Sequence, residues 1–434
     1  MSLAYADFIQ TKRKAHQAAG IDVQPEALHE SLFPFQKALT SWALKKGKAC
    51  LFAGTGLGKT RMQAEWSRQI SGKRLIVAPL AVAEQTITEA RHLSGMRIRR
   101  VHHLGDVCGD GTYIVNYDRL HHVEDVNWDA VALDESSILK SHDGAYRTYI
   151  QERFLHTPFK LACTATPSPN DYMELATHAE FMGAMSRLEM LATFFMHDGG
   201  DTSKWRLKRH AVGDFWRWVA SWAAVLSHPR DIGFDMDGYD LPELIVRDRL
   251  VHVESDVAGG LFGDAKVSAT QLHKVLRGSA EDRVAAVAEI VNKEPDLPWL
   301  VWCNTDQEQD LIRKALPGIA SVQGGDKDAD KEDRLLGFAT GKYNRLVTKP
   351  KIAGFGMNWQ RCNRMAFCGV TYSFEQMYQA IRRCWRFGQQ SPVHVYVVTC
   401  NAQESVKSAL RAKDEAFKSM AQEMGKHCTQ EVKA

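Results

Sequence analysis

The stretch AGTGLGKT, Ala53–Thr60, stands between the apolar run ACLF and the amphipathic segment RMQAEWSRQI. Gly54, Gly56 and Gly58 let the backbone turn tightly around Thr55 and aim its N–H groups at one point. The helix that follows adds its positive N-terminal end. Such a strand–loop–helix is a cradle for phosphate, with Lys59 reaching the β- and γ-phosphates of a nucleotide and the Thr60 hydroxyl available to Mg2+. Ala53 occupies the first position of the pattern, where glycine is more usual. A bare glycine-rich turn is the competing reading, and the strand before it and the helix after it argue against that.

Outward from this loop, ACLF, RLIVAP, TYIVN, DAVALDE and KLACTA read as buried strands separated by helical segments. Near-continuous apolar strands alternating with helices predict a parallel sheet covered on both faces. VALDES ends one such strand on Asp134 and Glu135, at the edge where the phosphate loop opens. Asp134 is placed to hold Mg2+ through water, and Glu135 to orient and deprotonate an attacking water. From Met173 to about Tyr239 the chain reads as helical and rich in tryptophan, and alternation resumes at EDRVAAVAEIV. The expected fold class is therefore α/β: two tandem lobes with a helical insertion between them. The expected domains are an N-terminal helical extension (1–30), a first lobe (31–172), an insertion and linker (173–250), a second lobe (251–405), and a C-terminal helix and tail (406–434).

Bulk properties set limits. The chain has 434 residues, with 55 basic against 52 acidic side chains and a net charge of +3. That is too near balance to argue for nucleic acid by itself. No apolar run is long enough to span a bilayer, and MSLAYADFIQTKRK lacks the pattern of an export signal. The nine cysteines show neither a Cys-x-x-Cys pair nor zinc spacing, so reduced core thiols in a cytoplasmic protein are expected. His102–His103 and His121–His122 have no acidic or thiol partners at ligand spacing, and solvated or packed histidines are expected there.

The motifs, in their order, resemble those of superfamily 2 helicases, and of the Swi/Snf-like branch in particular. LFPFQKALTSWAL, the phosphate loop, LIVAPLAVAEQ, VALDES, CTATPSPNDYMELATHAEFM, GYDLPELIVRDRLVHVE, IAGFGMNW and QAIRRCWRFGQ carry the likeness over roughly residues 30 to 400. The resemblance implies two RecA-like lobes and ATP with Mg2+ as cofactors. It also implies a glutamine that reads adenine (Gln36), a nucleic-acid backbone contact near Pro79, and a third motif trailing Asn170, Glu174 and Leu175. Gly356 in the fifth motif is implied as nucleotide-binding. Three positions depart from the family: Ser137 replaces a histidine, Lys349 and Pro350 replace Ser-Thr, and Arg382 replaces a glycine. Lys349 and Lys351 could then supply charge to nucleic acid. The compact chain resembles the stand-alone forms carried by bacteriophages and prophages, and a monomer is expected.

In QAIRRCWRFGQQ, Gln379, Arg383 and Arg386 would share one helical face, at i, i+4 and i+7. The resemblance makes Arg383 and Arg386 arginine fingers from the second lobe, and guanidinium suits that role by its permanent charge and forked geometry. RIRR (97–100) and KPK (349–351) are candidate backbone contacts. Trp218 and Trp222 are expected to pack, while for Trp205 with Arg206, Lys208 and Arg209 both packing and a role as a binding surface stay open. These readings converge on an ATP-dependent DNA translocase or helicase acting on double-stranded DNA. A nucleotide-gated DNA clamp or motor subunit, and an RNA remodeller, stand as alternatives.

Overall fold

The structure, a computed structural model, describes residues 18–140, 144–168, 172–198, 201–252, 274, 277–353, 357–400 and 403–433. The chain divides into two compact units: residues through Met236 with those from Phe417 on, and Asp237–Ala416. Among the described residues no helix is long and apolar enough to cross a membrane.

The first unit is built on β1 (Lys48–Ala53), β2 (Lys73–Ala78), β3 (Ile98–Arg100), β4 (Gly111–Asn116), β5 (Ala130–Asp134) and β6 (Phe159–Cys163). Between and around them lie α1 (Pro34–Lys46), α2 (Lys59–Gln69), α3 (Leu80–Ser94) and α4 (Gly144–Arg153). With β9 (Ala223–Leu226) added, the order β3-β4-β2-β5-β6-β1-β9 is parallel throughout. Every residue of β5 is buried, as both-face coverage requires. The ends of β1, β6 and β5 are consecutive in this order, so the loops that follow them leave one edge side by side.

The segment read as a helical insertion is only partly helical. It holds α5 (Leu175–Met182), α6 (Arg187–Phe194) and α7 (Val212–Ala220), but also the antiparallel hairpin β7 (Phe195–Asp198) and β8 (Asp201–Leu207), and β9 (Ala223–Leu226). β9 joins the sheet beside β1, with Cys50 opposite Ala223 and Ala53 opposite Leu226. A short apolar run reads equally as helix or buried strand, and here the free edge of β1 takes it as strand. Trp205, whose role the sequence leaves open, lies on the hairpin. It faces His197 across the hairpin, ring centroids 3.8 Å apart, and packs half-buried on the core. Trp218 and Trp222 are buried, as expected. The N-terminal extension lies outside the described residues over 1–17, and residues 18–30 contain a single 3-10 turn, Pro25–Ala27.

The second unit contains β10 (Leu244–Val251), β11 (Trp299–Trp302), β12 (Ala320–Ser321), β13 (Arg345–Thr348), β14 (Arg364–Cys368) and β15 (Val393–Cys400). They form an all-parallel sheet in the order β10-β15-β14-β11-β13-β12. Its helices are α8 (Ala280–Asn292), α9 (Asp306–Ala315), α10 (Asp328–Thr340), α11 (Pro350–Ala353), α12 (Phe374–Ile381) and the start of α13 (Glu404–Lys433), whose residues from Phe417 on belong to the first unit. β10 lies within the expected linker yet pairs with β15 along eight residues, so this sheet starts earlier than residue 251. It is an edge strand, with Arg247 bonded to the Tyr396 hydroxyl, Arg249 near Glu289, and Asp248 paired with Arg411.

Three buried charged side chains stand out. Arg283 of α8 and Glu308 of α9 pair at 2.7 Å with neither side chain exposed. The Arg283 guanidinium also donates to the Cys368 carbonyl and the Ser279 hydroxyl. Glu308 accepts from the N–H groups of Asn304 and Thr305, capping α9. Lys160, buried in β6, donates to the Phe181 carbonyl at 3.0 Å, and burial holds its pKa down at about 8.

Arg283→Met leaves Glu308 buried and unpaired, and is expected to cost the second unit about 3–5 kcal/mol in a denaturant titration. The Lys160 ammonium is disfavoured in the fold, so its effect runs opposite to that of a paired lysine. The penalty is full below about pH 8 and is relieved as pH rises toward the ordinary lysine value of 10.5. Urea melts at pH 7 to 10 should show wild type gaining on Lys160→Met across that window.

Candidate nucleotide and nucleic-acid site

The phosphate loop leaves β1 and turns into α2 through Gly58, whose φ of 80° is left-handed. A Cβ there would lie 2.2 Å from Gln36 Nε2, so the position requires glycine for both space and conformation. Gln36 is almost fully buried. Its amide nitrogen donates to the Leu57 carbonyl and its oxygen accepts from the Phe33 N–H, each at 3.0 Å. It staples the start of α1 to the loop. Lys59 folds back so that Nζ donates to the Ala53 carbonyl at 2.9 Å, which places its ammonium over the loop. The Thr55 hydroxyl is buried in the loop with no hydrogen-bond partner. A glycine-rich loop with an orphaned buried hydroxyl fits a phosphate group.

Asp134 ends β5 and is buried, and its Oδ1 accepts from Gln63 Nε2 at 2.7 Å. Burial raises the Asp134 pKa, while Gln63 and Lys59 act in the opposite direction. Glu135 adopts a left-handed backbone, φ 51°, which no other described non-glycine residue does. The Tyr117 hydroxyl donates to the Asp134 carbonyl at 2.8 Å, and Ser136 Oγ lies 3.0 Å from His178 Nε2. Cys163, at the end of β6, is a buried thiol pushed up by desolvation. Sequence reasoning missed Gln63, Tyr117 and His178. Gln63 was the most accessible of them, four residues after Lys59 and hence on its helix face.

Thr60, in the first turn of α2, and Asp134 are what the chain offers Mg2+ here. Among the described residues no group of three or more His, Cys, Asp or Glu could hold a metal alone.

In the second unit α12 ends at Ile381, so Gln379 is helical while Arg383 and Arg386 lie in the turns that follow. The shared helical face is therefore not formed. The chain turns back instead through bonds from Arg383 and Cys384 to Ala380 and Ile381. Arg383 is buried and bonded to Gln379 Oε1, the Gln379 carbonyl and the Met357 carbonyl. Arg386 is half-buried, with Nη1 3.4 Å from the same Met357 carbonyl. Arg382 lies over the Trp385 ring at 4.3 Å. Gly356 and Asn170 fall outside the described residues.

The basic candidates are largely engaged. Lys349 pairs with Asp306 at 2.5 Å, Arg99 donates to the Cys108 carbonyl and the Tyr113 hydroxyl, and Arg100 pairs with Glu84. Lys351 and Arg97 are exposed, and Pro79 precedes α3 at half-burial.

Residues 282–388 match the helicase conserved C-terminal domain. No curated protein matches the chain in sequence. Among solved structures, S. cerevisiae Dbp5 bound to RNA and ADP BeF3 is similar with a TM-score of 0.56 at 11% identity, over 88% of this chain and 87% of that one. The Sulfolobus solfataricus SWI2/SNF2 ATPase core in complex with dsDNA aligns over 95% of this chain and 97% of its own, at 16% identity and a TM-score of 0.45. The Dbp5 likeness shows the fold, two tandem RecA-like lobes.

Gly58→Ala should weaken binding of a fluorescent ATP analogue at least about tenfold, because the Cβ displaces either Gln36 or the loop. Unfolding of the second unit should not change.

Proposed function

We propose that this chain, a superfamily 2 helicase/ATPase by its helicase C-terminal domain and its tandem RecA-like fold, is an ATP-driven translocase on double-stranded DNA, of the Swi/Snf-like branch. One observation carries the ATPase reading: the phosphate loop and Asp134–Glu135 leave one sheet edge two strands apart, with Gln63 of the loop's own helix bonded to Asp134. The preference for DNA rests on the order of sequence motifs, from LFPFQKALTSWAL to QAIRRCWRFGQ.

In this reading the amides of Gly54, Thr55, Gly56 and Gly58, with Lys59, hold the phosphates, and Gln36 meets the adenine. Mg2+, bound with ATP through Thr60 and Asp134, neutralises phosphate charge. Glu135 orients the attacking water and accepts its proton. Arg386, an arginine finger by its motif, supplies transition-state charge. Arg383, bonded to Gln379 and Met357, holds the turn that carries Arg386. Gly356 completes the nucleotide site, and Pro79, Lys349 and Lys351 meet nucleic-acid backbone. Lys349 must leave Asp306 to do so.

ATP turnover measured with duplex DNA, single-stranded DNA and RNA tests the substrate. Duplex should stimulate most, and stimulation by RNA alone would overturn the DNA assignment. Lys59→Ala should abolish ATP binding. Glu135→Gln should bind ATP without turnover, and Arg386→Ala should bind it and lose on the order of 10³ in kcat. Triplex displacement separates a motor, which clears the third strand, from a clamp, which does not.

A further inference from the structure

Glu135 is held in a conformation that its own chemistry disfavours. A left-handed backbone at a residue with a Cβ persists only where its surroundings fix it. Both flanking positions are held by side chains from elsewhere in the chain. On one side Tyr117, which follows β4, donates its buried hydroxyl to the Asp134 carbonyl at 2.8 Å. On the other, Ser136 Oγ meets His178 Nε2 at 3.0 Å, and neither residue is exposed. The His178 ring is itself set edge-on against Phe52 of β1, centroids 5.1 Å apart, so it is braced by the strand that feeds the phosphate loop. His178 lies on α5, two elements along the chain from β6.

We infer that Tyr117 and His178 are positioning residues that clamp the Asp134–Ser136 backbone and thereby aim the Glu135 carboxylate at the hydrolytic water. The inference rests on the ATPase reading above, in which Glu135 orients that water. Neither residue touches nucleotide in this scheme. Their loss should spare binding and impair turnover, because a displaced base costs rate even when the substrate is held.

The test is DNA-stimulated ATP hydrolysis by the full chain, with binding of a non-hydrolysable ATP analogue measured in parallel. Tyr117→Phe removes only the hydroxyl. His178→Phe keeps the ring packed on Phe52 and removes the nitrogens, and Ser136→Ala removes the other half of the bond. Each should lower kcat about tenfold to a hundredfold, with KM and analogue affinity within about twofold of wild type. Ser136→Ala and His178→Phe together should be no worse than either alone, since both delete one interaction. His178→Gln, whose amide can reach the position of Nε2, should recover much of the rate.

Unchanged kcat in Tyr117→Phe and His178→Phe overturns the inference. So does a loss of affinity equal to the loss of rate with no recovery by His178→Gln, which marks a purely structural role. Glu135→Gln tells the two levels apart. If it still hydrolyses ATP, the reading beneath the inference has failed. If it is inert while the clamp variants turn over normally, only the clamp has failed.

Discussion

A carboxylate buried at the end of a strand must find a donor, and for Asp134 that donor is Gln63. The bond fixes α2 over the end of β5, and α2 is the helix whose first turn carries Lys59 and Thr60. The parallel register does the rest. With β6 lying between β1 and β5, the phosphate loop and the Asp134–Glu135 corner are about 10 Å apart at the sheet edge, a span that a triphosphate and its cation can bridge.

The second unit organises its loops in a different way. Arg283 and Glu308 place a full charge pair inside a hydrophobic cluster containing Val287, Val301 and Ile312. Hydrophobic residues of equal volume could serve stability as well. What the pair adds is direction. Glu308 takes the N–H groups that follow β11, and Arg283 takes the carbonyl that ends β14. Asn304 then reaches the Cys368 and Gly369 carbonyls. Two loops at the carboxyl edge are thereby locked together.

The sheets, their parallel sense and the loop at Ala53–Thr60 were legible because each rests on local pattern: apolar runs, glycine spacing, helical periodicity. Distance along the chain hid the rest. β9 is an apolar run whose identity as strand depends on the free edge of β1, which no local window contains. Trp205 has the composition of a stacking surface, yet its partner across the hairpin is His197 and its support is the core beneath. The face shared by Gln379, Arg383 and Arg386 failed because α12 stops at Ile381, where the chain must turn toward Met357. Tyr117 and His178 carry no signal of their own, since what singles them out is the strained residue they flank.

The outer strand of the second sheet, β10, leaves one row of backbone groups unpaired by the sheet. Such a row can template assembly with a stray chain. Arg247, Asp248 and Arg249 sit along it, each committed to a partner on the same lobe. An incoming strand would have to strip these contacts and dehydrate the charges before gaining a single ladder bond. Among the described residues the border is thus defended by ionic side chains, and that defence should weaken as salt screens it.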